Sequence, residues 1–316
     1  MTVADDIAVA ADSHRHELLA YCYRMTGSLH DAEDLVQETT VRAWRAAASY
    51  DPHRASVRTW LYRIATNLCL TALQHAERRV LPTDMSEPTG IWQVGVHPRR
   101  PEIPWLQPFP DSEPGDPAGT VAARDTIRLA FVSALQHLSP NQRAVLVLRD
   151  VLMFRAAETA ELLELTPAAV NSALLRARAR LAEIGPAAAD SELSDTEQRH
   201  FLDRYVKAFE ALDVETLKSV LRDDVVMQMP PFAAWFEGVD AVSAFLAEVF
   251  GASAEFRLLS TRANGQPAFG AYRPESTGSC AVNLHIPTLT ADGISRIDIF
   301  HAPELFPAFG LPVRLP

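Results

Sequence analysis

Nine of the chain's 22 prolines fall between residues 81 and 119 (Pro82, Pro88, Pro98, Pro101, Pro104, Pro108, Pro110, Pro114 and Pro117). Proline has no amide hydrogen and a fixed φ, so neither a helix interior nor a central strand can run through such a stretch. The fold must break here. Residues 81–119 read as a semi-extended linker able to reach about 130 Å at roughly 3.3 Å per residue. A shorter break follows at Gly185-Pro186-Ala187-Ala188-Ala189. For a chain of 316 residues, the breaks define a helical domain over 13–80, the Pro-rich acidic linker 81–119, a second helical domain over 120–183 and a third domain over 190–316.

The net charge is −11. Taken whole, that argues against nucleic acid, because Lys and Arg must replace the phosphate counterions. Its distribution reverses the inference. Residues 13–80 and 120–183 each carry +2, whereas residues 1–12 carry −3, the linker −4 and residues 190–316 −8. Cys22, Cys69 and Cys280 lie in no metal-ligand or redox spacing, so neither a structural metal nor a disulfide framework is expected. The acidic N-terminus lacks the positive region of a signal peptide, and no run of about 18 apolar residues occurs. A cytoplasmic protein without membrane contact is the expectation.

Helix starts are written in cap chemistry. Ser28 with Asp31, Ser139-Pro140-Asn141-Gln142 and Ser194 with Glu197 fit the capping box. Thr166-Pro167 sets a hydroxyl at the cap and Pro at the first helical position. Beyond residue 190, helices are expected at 194–211, 213–222 and 239–250. Strands are expected in VVMQM, AEFRLLSTR, PAFGAYR, CAVNLHIP and ISRIDIF, giving an α+β domain with a curved antiparallel sheet.

In DAEDLVQETTVRAW, 31–44, Ala32, Leu35, Val36, Thr40, Ala43 and Trp44 form an apolar stripe, and Asp31, Asp34, Glu38, Arg42 and Arg45 lie opposite. The following RASVRTWLYRIATN alternates Arg with aromatics, which suits a single strand whose phosphates need guanidinium and whose bases need stacking platforms. Leu61, Ile64 and Leu68 read as core, while Trp60 and Tyr62 fit either core or stacking. Residues 154–181 follow helix-turn-helix grammar. Ala160 lets two helices cross closely, Val170 anchors the second, and Asn171, Ser172, Leu175, Arg176 and Arg178 face outward.

Together DAEDLVQET, RTWLYRIATN, PNQRAVLVLRDV and the final helix pair resemble the extracytoplasmic-function (ECF) group of sigma-70-family sigma factors. The resemblance implies an alternative sigma factor that binds core RNA polymerase, at its beta-prime clamp helices and beta flap, and directs promoter-specific initiation. It implies that Asp31, Glu33, Asp34, Leu35 and Glu38 contact the polymerase. Arg54, Ser56, Arg58, Trp60, Tyr62, Arg63 and Asn67 would then melt and read the minus-10 element, and Thr166, Asn171, Ser172, Leu175, Arg176 and Arg178 would read the minus-35 element. Two positions depart from the pattern. Glu164 stands where the turn often has Gly, at a cost of about 1 kcal/mol if left-handed, and Leu73-Gln74 replaces the charged residues usual after the Asn-x-Cys run. The linker must span two promoter elements roughly 70 Å apart.

In the C-terminal third, MPPFAAWFEG, RANGQPAFGAY and FPAFGLP resemble the SnoaL-like, NTF2-like domain fused to a subset of these factors, and Pro104-Trp105-Leu106 resembles a linker motif of that subset. The implied fold is multidomain: two all-α modules, sigma region 2 and a helix-turn-helix sigma region 4, plus a C-terminal α+β cone that modulates activity. Met227, Met229, Trp235, Phe236 and Tyr272 are candidates to line a pocket for a small-molecule ligand, with plain core as the alternative. His285 and Asp298 suggest an acid–base pair, but strand alternation places both on the face away from the apolar core. No catalysis, cofactor or metal is expected. An anti-sigma partner is left open, and the acidic third domain is expected to restrain the two basic modules. A ligand-sensing helix-turn-helix regulator, or a DNA-binding half fused to a SnoaL-like enzyme, are the rival readings.

Overall fold

The computed structural model describes residues 3–74, 76–90, 97–111, 126–184, 193–252, 255–276 and 278–316. The linker positions 91–96 and 112–119, the start of the second helical segment at 120–125 and the break at 185–189 lie outside the described residues. The chain divides into two compact units, Met1–Arg79 with Ser112–Pro186, and Val80–Asp111 with Ala187–Pro316.

The first unit is helical: α1 (Val3–Ser13), α2 (Arg15–Thr26), α3 (Leu29–Arg45), α4 (Val57–Leu73), α5 (Leu129–Leu135), α6 (Pro140–Leu146), α7 (Ala156–Leu163) and α8 (Pro167–Ile184). Its starts follow the cap residues. The Ser28 hydroxyl accepts from the Asp31 amide at 3.1 Å, Ser139 and Gln142 cap one another, and Thr166 Oγ1 accepts from the Ala169 amide at 3.2 Å. Ser56 caps α4 in the same way, through the Thr59 amide.

The two helical segments, read from the sequence as separate modules, pack together in this unit. Two buried arginines join them. Arg24 on α2 donates to the carbonyl and hydroxyl of Thr126 at 3.1 and 3.0 Å. Arg143 on α6 donates to the Met25 carbonyl and to Gln136. Burial pushes both guanidinium groups down to about 10. These carbonyl partners offset the desolvation a buried cation suffers.

The second unit holds α9 (Asp195–Glu210), α10 (Val214–Lys218) and α11 (Val239–Gly251) against a sheet of β1 (Leu221–Gln228), β2 (Trp235–Glu237), β3 (Arg257–Ala263), β4 (Gln266–Glu275), β5 (Gly278–Thr290), β6 (Gly293–Phe300) and β7 (Arg314–Leu315). The strand order is β2-β1-β6-β5-β4-β3, with β7 on β5. β1 runs parallel to β6 and the other pairs are antiparallel. The helix expected over 213–222 ends at Lys218, because Leu221 already pairs with Ile294 of β6. Asn264 and Gly265, both at positive φ, make the two-residue turn between β3 and β4, a conformation that Asn-Gly adopts readily.

Both faces of this sheet are covered. Phe269, His285 and Ile299 share one face by cross-strand register, where Tyr205, Phe209 and Phe250 pack. Gly270, Leu284 and Phe300 share the other. A Cβ at Gly270 would stand 2.5 Å from Leu311 and 2.8 Å from Phe306, so the segment after β6 seals that face against a glycine.

Three sequence readings are corrected by this arrangement. First, His285 and Asp298 are not on a solvated face: they are 1% and 2% exposed. They also lie on opposite faces, since His285 pairs with Ile299 while Asp298 pairs with Ile286, and directly opposed residues share a face. Alternation could not identify the core side because both sides are buried. Second, Met227, Met229, Trp235, Phe236 and Tyr272 do not line one cavity. Met227, Met229 and Phe236 belong to the buried core. The half-buried Trp235 is adjacent to Phe236 in β2 and so points to the other face. Tyr272 meets Phe306 edge-on at 5.4 Å and donates to the Pro312 carbonyl.

Third, the described linker residues are not free. Val80 and Leu106 exchange backbone bonds with the opposite stretch of the linker, at 3.1 Å to Pro104 and 2.9 Å to Val80. Thr83 donates to Gln228, Thr89 and Trp235 bond in both directions, and the Trp235 indole donates to the Ser86 carbonyl at 2.7 Å. Phe109 and Asn264 likewise exchange two bonds, of 2.9 and 2.8 Å. Trp105, Leu106 and Phe109 are buried. Their apolar surface ties residues 80–111 to the C-terminal fold despite the prolines.

Candidate polymerase and nucleic-acid interface

α3 is amphipathic, with Ala32, Val36, Thr39 and Ala43 buried. Glu33 and Asp34 are exposed, Leu35 and Glu38 half-buried. Asp31 is held by Arg79 at 2.5 Å, and Glu38 by Arg42 at 2.7 Å one turn on. Of the five residues expected to face a polymerase, Glu33 and Asp34 therefore present the most accessible charge. Trp44, read as part of the apolar stripe, is 55% exposed. It sits in the last turn of α3, to the side of the face that buried Ala32, Val36, Thr39 and Ala43 mark and one turn on from half-buried Thr40.

α4 divides its expected DNA-reading residues into two groups. Arg54, Ser56, Arg63 and Asn67 are exposed. Trp60 is half-buried, with its ring 5.1 Å from that of Tyr50. Tyr62 is fully buried. Its ring meets Tyr21 and Phe154 edge-on at 5.2 and 5.3 Å, and burial pushes its phenol well above the ordinary range. Of the two roles open to Tyr62, the structure assigns core. Arg58 is also engaged, with Nε 3.0 Å from Glu17 and its guanidinium 5.0 Å from the rings of both Tyr62 and Phe154. A cavity of about 280 Å³ opens beside the exposed group, lined by Tyr50, Arg54, Trp60 and Arg63 on one side and by Glu161 and Leu162 on the other.

In the helix pair α7–α8, Ala160 and Val170 are buried at the crossing. Glu164 closes α7 in the left-handed conformation, φ 55° and ψ 41°. Thr166, Asn171, Ser172, Leu175, Arg176 and Arg178 are all exposed, Leu175 by 72%. Arg176 donates to the Ser172 hydroxyl at 2.6 Å. Arg178 forks onto both oxygens of Asp150 at 2.8 and 2.7 Å, which orients it on the α8 surface.

Sequence reasoning missed Arg24, Arg143 and Phe154, the residues that join the two helical segments. The signal was present for Arg143, a lone cation preceding Ala144-Val145-Leu146-Val147-Leu148, since a charge in a buried run needs partners.

The pattern for Sigma-70 region 2 matches residues 10–79, that for Sigma-70, region 4 matches residues 128–181, and that for a SnoaL-like domain matches residues 202–301. The chain is 45% identical over 316 residues to the ECF RNA polymerase sigma factor SigG of Mycobacterium tuberculosis, covering 98% of this chain and 85% of the relative. It is 33% identical over 211 residues to SigJ of the same species, covering 67% and 61% respectively. The crystal structure of M. tuberculosis SigJ shares the fold, with a TM-score of 0.61 at 24% identity and coverage of 98% of this chain and 100% of that one. With an acidic helix, an Arg- and aromatic-bearing helix and a helix-turn-helix in order along it, both sigma-70 patterns matched and 45% identity over 98% of its length to an ECF RNA polymerase sigma factor, the chain belongs to the ECF RNA polymerase sigma factors, with a SnoaL-like domain matched over residues 202–301.

Proposed function

We propose that this sigma factor binds core RNA polymerase through the exposed carboxylates of α3, opens and reads the minus-10 element through Arg54, Trp60, Arg63 and Asn67 of the α4 region, and reads the minus-35 element through α8. The observation that carries the reading is the order of three surfaces in one chain. Glu33 and Asp34 project from α3, Arg54, Trp60 and Arg63 from the α4 region, and Asn171 to Arg178 from α8. A stand-alone helix-turn-helix regulator has no use for the first two. Promoter DNA and polymerase as partners place the work in the cytoplasm.

The C-terminal unit, in this proposal, modulates initiation and catalyses nothing. His285 is spoken for: Tyr205 donates to Nδ1 at 2.7 Å and Nε2–H donates to Asn283 at 2.8 Å, the tautomer that satisfies both partners. Asp298 accepts from Gln228 and Arg296 on the opposite face. Modulation is carried by the linker, because residues 80–111 connect the two halves of the helical unit and are held by the C-terminal fold.

Asp34→Arg tests the polymerase surface. Asp34 is 68% exposed, so the variant is expected to keep its helical circular-dichroism signal. Its co-elution with purified core polymerase should weaken at least tenfold, roughly 1.4 kcal/mol. Unchanged affinity would remove α3 from the interface.

A further inference from the structure

The cavity beside α4 has walls from both helical segments. Tyr50, Arg54, Trp60 and Arg63 supply an aromatic and mainly cationic side, with Asp51 its one carboxylate, and Glu158, Glu161 and Leu162 of α7 close it. α7 carries Glu158 and Glu161 on successive turns, with Glu164 at its end. These three carboxylates are spaced so that they lie along one side of the helix, roughly 5 Å apart. Glu158 is half-buried and caps its own helix, accepting from the Arg155 amide at 2.7 Å. Glu164, 75% exposed, stands 3.5 Å from Arg63. Below this row the two segments are clamped by Phe154, which packs against Tyr62 and under the Arg58 guanidinium.

We propose that α7 is a built-in competitor of the minus-10 strand: its carboxylates take the place of DNA phosphates beside Arg54 and Arg63, and Leu162 walls the space an unstacked base would enter next to Trp60. The inference rests on the minus-10 reading of α4 given above. Its consequence is that the first helix of the minus-35 reader keeps the free protein from holding single-stranded DNA. Displacing α7, as polymerase binding must do to set the two readers on separate promoter elements, uncovers the site. The competition is electrostatic at a surface, so each carboxylate contributes modestly and salt weakens it.

The test uses the full-length protein and a fluorescein-labelled 12-nucleotide single strand of mixed sequence, followed by anisotropy in low salt. Glu161→Gln with Glu164→Gln is expected to tighten binding about tenfold and to steepen the salt dependence of log K by about 1.4, the contribution of two further phosphate contacts on a single strand. Asp6→Asn with Asp12→Asn removes the same charge at exposed positions on α1 and is expected to change binding less than twofold. Equal tightening by both pairs would reduce the effect to net charge and overturn the proposal, as would no tightening by either. Adding Arg54→Ala and Arg63→Ala to the Glu161/Glu164 variant should cancel the gain. A gain that survives those changes would instead sink the minus-10 assignment of α4.

Discussion

Glu164 concentrates two effects in one residue. A non-glycine side chain in the left-handed region is strained by about 1 kcal/mol, and φ 55° puts Glu164 there. Glu164→Gly should therefore raise the melting temperature of the helical unit by a few degrees, about 1 kcal/mol of stability, whereas Glu164→Gln should leave it unchanged. Equal melting of all three proteins would show that the turn carries no strain. His285 and His301 make a second residue-scale prediction. Desolvation by burial is the larger cause and a neighbouring cation or histidine the smaller, and together they hold both imidazoles down at about 3, against 6.5 when unfolded. Between those values the unfolded state binds more protons, so stability is complete above pH 6.5 and falls as pH drops toward 3. The expected slope is about 1.4 kcal/mol per histidine per pH unit. Hydrogen exchange of β5 amides, corrected for intrinsic rates, should show protection declining between pH 7 and 5.5; constant protection would contradict it.

At the scale of elements, α4 separates folding from recognition. Tyr62→Ala removes a fully buried ring packed on Tyr21 and Phe154 and should destabilise the helical unit by about 3 kcal/mol in urea melts. Trp60→Ala, half-buried beside the cavity, should cost less than half as much stability and act chiefly on promoter opening, read by permanganate footprinting of the melted strand. If the two variants lose stability alike, Trp60 is core as well. This division was not legible in RTWLYRIATN, since the two rings stand about 200° apart on the helix with apolar residues beside each, and only the position of Phe154, almost a hundred residues on, shows which side is core. The helix starts were legible because caps are local: Ser28, Ser139, Thr166 and Ser194 need only their third or fourth neighbour. Long-range features were not. Prolines hid the anchoring of Trp105, Leu106 and Phe109, and period-two alternation could not place His285 and Asp298 in a sheet buried on both sides.

For the whole molecule, the structure presents a helical unit in which α4 and α8 belong to one compact body. In the proposed assignment of α4 and α8, promoter elements about two turns of DNA apart, roughly 70 Å, require those helices to separate. Residues 80–111 group with the C-terminal fold, so the proposed opening would couple to release of the linker through chain connectivity. The net charge of −11 is compatible with DNA binding if, as proposed, polymerase supplies the remaining affinity, and that makes polymerase dependence the central claim. Run-off transcription with purified core polymerase on a library of genomic fragments tests it most directly. Adding the full-length chain should yield discrete products from particular fragments that core alone does not make, and Asp34→Arg should abolish most of them. Product patterns identical with and without the chain would contradict promoter-specific sigma activity.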